Sequence, residues 1–343
     1  MTAAAFPPPV LPRAVPRRSA ALIFNPAAGR GIDDLDALRT ELDAAFDLSV
    51  LATCPERDAD ACARLALAAR PDIVIAAGGD GTVSMVAGAL VGTETPLGIV
   101  ARGTSNSIAA GLGIPTDIDG ALATLGRGEV CAIDTARANG HPMLLHASVG
   151  FHAATVAGTP RDAKNRWGVL AYIKEGLINL ADLEQFQVEI ETEDAVVRCR
   201  AVNVTVANVA PRKTVLAQGP AAVSPADGAL DVTIVAATGL ADVVATGLHL
   251  LRSATRAEPA TRENVGYLSA CRLRIDADPE QPLLVDGEPA GAGRLVVECL
   301  PRSLRVLLPP AEEVPRPATE PNEEAKLQGL PDLEIEPKSR PAP

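Results

Sequence analysis

The chain has 343 residues, of which 47% are hydrophobic and only 2% aromatic, and its formal net charge is -12. This length allows two domains with aliphatic cores, whereas the acidic charge and the scarcity of aromatic stacking surfaces argue against nucleic acid as a partner. No apolar run approaches the roughly 18 residues that a membrane span needs, so we expect a cytoplasmic protein.

The N-terminal part of the chain alternates between two sequence patterns. Residues 1–18 are rich in proline and arginine and are predicted to be disordered, because they cannot bury a core. From residue 19 onward, short apolar runs alternate with stretches in which leucine and alanine recur at helical spacing. Strands are predicted at residues 20–24, 48–53, 72–77 and 96–100. This alternation is typical of a doubly wound, parallel α/β sheet, which binds ligands at the carboxyl ends of its strands.

Two polar sites follow the first two predicted strands. Asn25-Pro-Ala-Ala-Gly29 is a turn whose Asn and Gly suit a backbone that approaches a ligand, although a simple strand-to-helix turn has the same composition. Thr53 ends the second strand. Since the carboxyl ends of parallel strands lie at one edge of the sheet, we expect these residues to face a common crevice.

A glycine-rich pentapeptide follows the third predicted strand. Gly78, Gly79 and Gly81 permit positive φ and carry no Cβ, so backbone N–H groups at the start of the next helix can bind an anion such as phosphate. Asp80 suits an accompanying cation or a proton transfer, and Thr82 is predicted to cap the helix or to contact the ligand. A glycine turn without any ligand is the alternative.

The second half of the chain has a different sequence pattern, which is typical of β-strands. Alternation of period two dominates residues 186–209, with one long strand predicted at 196–207. We therefore expect a mostly β domain at residues 134–308, built as a sandwich. Residues 309–343 are rich in proline and glutamate and are predicted to form a disordered tail.

Cysteine usage predicts neither zinc binding nor a disulfide framework. The six cysteines lack any Cys-x-x-Cys spacing and stand in apolar patterns, so we expect small buried side chains. They are Cys54, Cys62, Cys131, Cys199, Cys271 and Cys299.

Two acidic loops lie in the β-rich half. Residues 224–229 form an oxygen-rich loop in which Asp227 and nearby carbonyl groups suit Mg²⁺, although an Asp-Gly hairpin turn is the commoner meaning of this pattern. Asp286-Gly-Glu288 places two carboxylates at a strand end, where a turn is again the alternative. Because they are two residues apart, we expect them to lie close together.

The motifs together resemble a known family. Gly-Gly-Asp-Gly-Thr is similar to the nucleotide loop of NAD kinases, diacylglycerol kinases and sphingosine kinases. Asn-Pro-x-x-Gly at 25–29, and Gly-Thr-x-Asn followed by Leu-Gly-Ile-Pro at 103–115, are similar to bacterial diacylglycerol kinases and YegS-like lipid kinases. The resemblance covers residues 19–308. It departs from the family pattern at Ser107, where many members carry Asp.

The resemblance implies a domain plan and a set of binding residues. It implies an N-terminal doubly wound α/β domain that binds ATP, at residues 19–133, followed by a β-sandwich domain that binds lipid. The implied ATP-binding residues are Asn25, Gly29, Thr53, Gly78, Gly79, Asp80, Gly81, Thr82, Gly103, Thr104 and Asn106. The implied ligands of a structural Mg²⁺ are Ser224, Asp227 and Ala229.

The resemblance also implies catalytic roles. The Asp286/Glu288 pair supplies the proton acceptor for the lipid hydroxyl, and Asp80 is the next candidate for that role. Asp80 is also the first candidate to serve the catalytic metal, with Asp134 as a weaker one. His146 and His152 occupy polar positions of a family motif, where histidines held by hydrogen bonds in a turn are commoner than catalytic ones.

These patterns predict an ATP- and Mg²⁺-dependent lipid kinase that phosphorylates the hydroxyl of diacylglycerol, a sphingoid base or a similar lipid. The alternatives are an NAD kinase and a nucleotide-binding regulator without activity, the latter suggested by Ser107. A basic cluster at residues 161–174 would face phosphate, an anionic membrane or only solvent. Peripheral membrane contact and a homodimer are further expectations.

Overall fold

The computed structural model describes residues 17–29, 33–150, 185–211, 223–256, 258–321 and 325–338. Residues 1–16, His152 and the basic cluster at 161–174 therefore lie outside the described residues. The helices are α1 Asp33–Ala45, α2 Ala59–Ala68, α3 Asp80–Leu90, α4 Ser107–Gly111, α5 Ile118–Arg127 and α6 Gly239–Arg256. None of these helices is both long enough and apolar enough to cross a membrane.

The strands divide between two sheets. The first nine in chain order are β1 Arg18–Phe24, β2 Phe46–Ala52, β3 Ile73–Gly78, β4 Leu97–Ala101, β5 Glu129–Ala138, β6 His141–Met143, β7 His146–Gly150, β8 Phe186–Glu191 and β9 Ala195–Ala201. The others are β10 Asn203–Ala207, β11 Leu230–Val235, β12 Val265–Ala270, β13 Arg272–Asp278, β14 Pro282–Val285, β15 Glu288–Ala292, β16 Leu295–Leu308 and β17 Glu334–Pro337.

The N-terminal half is the predicted parallel α/β sheet, with strands in the order β2-β1-β3-β4. Alternate residues of β1 face opposite sides of this sheet. Leu22 packs in the same apolar cluster as Leu38 of α1 and Leu125 of α5, whereas Ile23 packs with Cys62 of α2 and Val86 of α3. Helices thus cover both faces, which explains why all six residues of β3 are buried.

The β-rich half extends this sheet and adds a second one. β16 pairs in parallel with β4 and antiparallel with β5 and β13, which makes an 11-stranded sheet in the order β17-β9-β8-β13-β16-β4-β3-β1-β2, with β5 and β6 attached to β16. The second sheet has the order β12-β11-β10-β7-β14-β15. The two sheets enclose one apolar cluster that includes Val149, Val204, Ile275 and Val297. The predicted α/β domain followed by an antiparallel β domain is confirmed.

The long strand predicted at residues 196–207 is wrong in one respect. It is two strands, because β9 belongs to the first sheet and β10 to the second. The chain changes sheets at Val202, whose N–H donates to the carbonyl of Val235. Apolar alternation continues through such a crossing, so periodicity alone does not reveal it.

The prediction of a disordered tail is corrected by the described part of residues 309–343. β17 pairs with the edge strand β9, and Lys326 exchanges backbone hydrogen bonds with Tyr267 of β12. Leu330 is only 5% exposed, and a Cβ on Gly266 would lie 2.6 Å from its Cδ1. The tail is mostly polar, but it contains three leucines at intervals of three residues that pack against the core between the sheets. They are Leu327, Leu330 and Leu333.

The prediction of six buried cysteines is correct for three of them. Cys62, Cys199 and Cys299 are buried, whereas Cys131 is half-buried. Cys54 and Cys271 are exposed, because they follow strands at turns instead of facing a core. All six thiols are free.

Candidate active site

A cleft of about 870 Å³ opens at the carboxyl ends of the parallel strands. The turns after β1, β2, β3 and β4 all reach it, as the strand order predicts. The predicted nucleotide residues that line it are Asn25, Gly29, Thr53, Gly79, Gly81, Thr82, Gly103 and Thr104. Glu288, from the β-rich half, lines the same cleft. The cleft therefore joins the predicted nucleotide loops to one carboxylate of the predicted Asp286/Glu288 pair.

The start of α3 has features that suit an anion at the cleft. Gly79 is the N-cap of this helix and makes no side-chain capping bond, so the first N–H groups remain available at the cleft. A helix N-terminus with exposed N–H groups attracts negative charge. Gly81 adds room, because a Cβ at this position would meet nothing within 4 Å.

The loops after β3 and β4 approach each other through two glycines. A Cβ on Gly103 would lie 2.6 Å from the Cα of Gly79, so this approach excludes any other residue at position 103. Asn106 accepts the N–H of Gly103 at 2.8 Å, and Asp80 accepts the N–H of Ile108 at 2.9 Å. The side chain of Asn106 thus fixes the loop after β4, and that of Asp80 links the start of α3 to α4. Neither residue is among those that line the cleft.

Gly78, Thr82 and Asn25 connect the first and third loops. The side-chain amide of Asn25 donates to the hydroxyl of Thr82 at 2.8 Å. A Cβ on Gly78 would lie 2.6 Å from the Cβ of Thr82, so the glycine admits the threonine side chain. Gly78 supports the site from behind, whereas Asn25 and Thr82 face the cleft.

Sequence reasoning missed several residues that line the cleft. Arg102 is 6% exposed, its guanidinium lies 4.1 Å from the ring centroid of Phe24, and its Nη1 donates to the carbonyl of Asn25 at 3.1 Å. Arg102 directly follows β4 and precedes the Gly103 loop. This position at the carboxyl end of a parallel strand could have identified it as a residue of the cleft. The other missed residues include Cys54, Asp58 and Met85.

The two carboxylates of the Asp-Gly-Glu motif have different environments. Asp286 and Gly287 have φ of +47° and +85° and form the tight turn between β14 and β15, which suits an Asp-Gly pair. Asp286 accepts the backbone N–H groups of Leu144, Leu145 and His146 at 2.8, 2.8 and 3.1 Å, and it also accepts the hydroxyl of Ser84. Asp286 is thus held by the protein, whereas Glu288 faces the cleft.

His146 lies behind this turn. Burial lowers the pKa of its imidazole, and the negative charges of Asp286 and Asp80 oppose that shift. The neutral form is therefore favoured at neutral pH. These neighbours also show that the turn of β14–β15 and the nucleotide loop lie close to the same histidine.

The predicted metal loop carries one half-buried carboxylate, Asp227, and lies beside two buried ones, Asp134 and Asp231. Asp134 is fully buried and accepts the N–H groups of Gly228 and Arg302 at 2.7 Å each, which places it at this loop and not among the residues that line the cleft. Burial, with a smaller contribution from the charge of Asp134, raises the pKa of Asp227 to about 6. Burial raises the pKa of Asp231 to about 7.

This loop fits a hard cation by its chemistry. Asp227 accepts the N–H of Ala229 at 3.0 Å, and the hydroxyl of Ser224 donates to the carbonyl of Ala318 at 2.6 Å. Within the described ranges, no three side chains of His, Cys, Asp or Glu are arranged to hold a metal. A cation here would therefore need the carboxylate of Asp227 together with the carbonyl oxygens of Ser224 and Ala229, a donor set that suits Mg²⁺ when water completes it.

Two other cavities lie on the outer face of the 11-stranded sheet. Their charged side chains pair with each other, as Arg198 does with Glu189 at 2.7 Å and Arg274 with Glu191 at 2.7 Å. These cavities are charge-balanced surfaces, so the cleft at the strand ends remains the candidate active site.

The fold and the cleft define a two-domain protein of the NAD kinase and diacylglycerol kinase type. Residues 19–138 match the diacylglycerol kinase catalytic domain, and residues 146–308 match the YegS C-terminal NAD kinase beta sandwich-like domain. The chain therefore belongs to the family of diacylglycerol kinases and YegS-like lipid kinases, which confirms the resemblance. Membership implies use of ATP and a lipid substrate.

Relatives of known sequence span most of the chain. An uncharacterised Synechocystis protein is 38% identical over 301 residues, which are 84% of this chain and 70% of that protein. A diacylglycerol kinase of Bacillus subtilis is 30% identical over 282 residues, 80% of this chain and 91% of that protein. A protein named YegS-like lipid kinase in Pectobacterium atrosepticum is 31% identical over 272 residues, 77% of this chain and 87% of that protein.

A solved structure is similar over the same span. The crystal structure of a Bacillus anthracis protein assigned as a diacylglycerol kinase has a TM-score of 0.69 and 26% identity. It covers 86% of this chain and 98% of that chain, so the likeness includes both halves of the fold.

Proposed function

We propose that the protein is an ATP- and Mg²⁺-dependent lipid kinase that phosphorylates the hydroxyl of diacylglycerol or a similar lipid. One observation carries the proposal: a helix N-terminus that attracts phosphate and the carboxylate of Glu288 line the same cleft, although they come from different halves of the chain. Phosphoryl transfer to an alcohol needs both features.

ATP would lie with its phosphates at the start of α3. Gly79, Gly81 and Gly103 allow the backbone to approach the phosphates, and Asn25, Gly29, Thr53, Thr82 and Thr104 surround them. Arg102 adds a positive charge at the wall of the cleft. Asp80, Asn106 and Gly78 would act indirectly, by holding the loops in place.

Glu288 is our choice for the proton acceptor. An alcohol is a weak nucleophile at neutral pH, so a carboxylate within hydrogen-bond reach must take its proton as it attacks the γ-phosphorus. Asp286 has four hydrogen-bond donors on its carboxylate and would instead fix the turn that carries Glu288. Asp80, the other sequence-based candidate for the base, is disfavoured because it accepts the N–H of Ile108 and is not among the residues that line the cleft.

Mg²⁺ would accompany ATP and would also be held in the loop at residues 224–229. Bound with ATP, Mg²⁺ offsets phosphate charge. In the loop, Asp227 with the carbonyls of Ser224 and Ala229 would hold a structural ion that offsets the buried charge of the neighbouring aspartates.

The protein would act on its lipid as a peripheral membrane protein of the cytoplasm. An NAD kinase is disfavoured by the element at residues 103–115 and by the scarcity of aromatic residues for an adenosine pocket. A nucleotide-binding regulator without activity is motivated by Ser107, which begins α4.

The test is incubation with labelled ATP and a panel of diacylglycerols, sphingoid bases, ceramide and NAD, followed by chromatography. We expect a phosphorylated lipid, and Glu288→Gln should lower kcat by roughly two to four orders of magnitude while ATP still binds. Glu280→Gln, an exposed carboxylate outside the cleft, is the matched control and should behave as wild type. Phosphorylation of NAD, or ATP binding without any product, would contradict the proposal.

A further inference from the structure

Helix α6 has one apolar face that is buried and another that is exposed. On the inner side, Leu250 packs with Ala260 and Val265. On the outer side, Val244, Leu248 and Leu251 are 46%, 51% and 37% exposed. Their spacing of four and three residues places them on one face of the helix.

The exposed face is unusual for this chain. Eight large hydrophobic side chains are exposed among the described residues, and three of them lie on this one face. Ala241, which precedes Val244 by three residues, is also exposed and extends the face by one turn. Single exposed apolar residues are ordinary, whereas a contiguous row indicates a surface that contacts a partner.

The charges that α6 carries beside this row are positive. Arg252 and Arg256 are exposed at the C-terminal end of the helix. Its one carboxylate, Asp242, accepts hydrogen bonds from Arg262 at 2.5 Å and Asn264 at 2.9 Å on the protein side. Although the whole chain carries a net charge of -12, the helix itself presents cations beside its apolar row.

The environment of His249 on α6 is positive as well. Burial lowers the pKa of His249, and the positive charges of Arg262, Lys326 and Arg252 lower it further. Three cations therefore act on one residue of this helix.

We propose that the exposed face of α6 docks on an anionic lipid bilayer, with Val244, Leu248 and Leu251 at the boundary of headgroups and acyl chains and the two arginines at lipid phosphates. An amphipathic helix with apolar side chains and flanking cations binds such a surface. The role that we give to this contact rests on the proposed function, because a lipid kinase must reach an acceptor that resides in the bilayer.

Charge complementarity favours the bilayer over a second copy of the chain. Two α6 faces in contact would bring together apolar rows, but they would also bring together the arginines of both helices, because the one carboxylate of each helix is turned toward its own protein. Anionic headgroups supply the negative charge that such a pair of helices lacks. The experiment must therefore distinguish docking on a bilayer from self-association through α6.

The experiment is flotation of the full chain with vesicles of phosphatidylcholine, with and without phosphatidylglycerol. We expect binding only when phosphatidylglycerol is present. Leu248→Ser with Leu251→Ser should weaken binding by about tenfold or more, because two apolar side chains no longer enter the bilayer. Arg252→Gln with Arg256→Gln should weaken it by about fivefold per arginine.

Matched controls come from exposed residues on other helices. Leu65→Ser on α2 removes a leucine that is 53% exposed, and Arg39→Gln on α1 removes an exposed arginine. Both controls should float like wild type, and all variants should keep the wild-type melting temperature, since the altered side chains face solvent.

Three results would overturn the docking surface. They are wild-type protein that does not float with anionic vesicles, α6 variants that float as well as wild type, and a dimer that the leucine variant converts to a monomer in light scattering. Turnover of a dispersed short-chain diacylglycerol without vesicle binding would refute the docking surface and leave the proposed function intact. Vesicle binding without turnover of any lipid would support the docking surface and contradict the proposed function.

Discussion

Ser84 donates a hydrogen bond to Asp286, which lies 202 residues further along the chain. Ser84 belongs to α3, the helix that begins at the nucleotide loop, and Asp286 belongs to the turn that carries Glu288. The contact therefore sets the position of the proposed base relative to the proposed phosphate site.

Asp286→Asn should destabilise the fold by about 2–4 kcal/mol, since its amide would turn a donor toward N–H groups that now meet a carboxylate. Ser84→Ala should cost about 1 kcal/mol because it removes one of the four bonds. Urea unfolding measures both free energies. Glu288→Gln, two residues away, is the control that should leave stability unchanged, and an Asp286→Asn variant as stable as wild type would refute this account.

Two glycines of the nucleotide loops should respond differently to substitution. Gly81→Val should keep the fold and weaken ATP binding by about tenfold or more, because the new side chain enters open space that the phosphates need. Gly103→Ala should lower the melting temperature as well, since its Cβ would lie 2.6 Å from the Cα of Gly79. Calorimetry for ATP and thermal unfolding separate the two effects. Unchanged ATP affinity in a folded Gly81→Val protein would show that the loop is wrongly assigned.

The exposed cysteine beside the cleft offers a test that needs no mutation. Cys54 lines the cleft, whereas Cys271 is exposed elsewhere. Alkylation followed by mass spectrometry should modify both in the native protein, and ATP at about ten times its Kd should slow modification of Cys54 by about tenfold but not that of Cys271. Equal protection of the two thiols would place ATP elsewhere.

The buried thiols provide the internal reference for that experiment. Burial raises the pKa of Cys199 and of Cys299 to about 12, so at about pH 8 both remain protonated and unreactive. They should react only after denaturation. Early modification of either one would show that the protein had unfolded during the assay.

Mg²⁺ should raise the melting temperature through the loop at residues 224–229. By mass action, an ion at about one hundred times its Kd adds roughly 2.7 kcal/mol of stability. Asp227→Ala should abolish this response while the wild-type response to ATP is retained. Asp119→Ala, at an acidic residue in the first turn of α5, is the control. A Mg²⁺ response that survives in Asp227→Ala would refute the site.

The sequence predicts most of the α/β half because its signals are local. Each strand is a short apolar run, the turns after β1, β3 and β4 carry glycine or asparagine, and parallel order alone brings Asn25, Thr53 and the Gly78 loop to one cleft. The two roles within Asp286-Gly-Glu288 were not predictable in this way. They depend on Ser84 and on the N–H groups of residues 144–146, which are distant in the chain.

The β-rich half was harder to predict for a related reason. The apolar alternation continues across Val202, where the chain changes sheets, so the periodicity does not reveal the boundary between β9 and β10. The packing of the tail depends on Gly266, whose missing Cβ admits Leu330. A pairing between residues so far apart in the chain is visible only when both partners are placed in space, because neither residue is unusual in its own stretch of sequence.

Gly266 and Leu330 should therefore be energetically coupled. Leu330→Ala should cost about 2–5 kcal/mol as a large-to-small change at a buried site, and Gly266→Ala should also destabilise, because its Cβ would collide with Leu330. The double variant should be less destabilised than the sum of the two single changes. Strict additivity in urea unfolding would show that the two residues are not in contact.

The pairing of β17 with β9 also has a consequence for the order in which the molecule is made. Two edge strands of the 11-stranded sheet are β2, near residue 50, and β17, near residue 335. The sheet stays open at β9 until residues 334–337 have been synthesised, and a nascent chain with an open edge can pair with another. Arg198 and Arg200 on β9 provide charges that discourage such pairing during synthesis. A chain that ends at residue 308 would keep this edge permanently, and we expect it to self-associate in light scattering where the full chain does not.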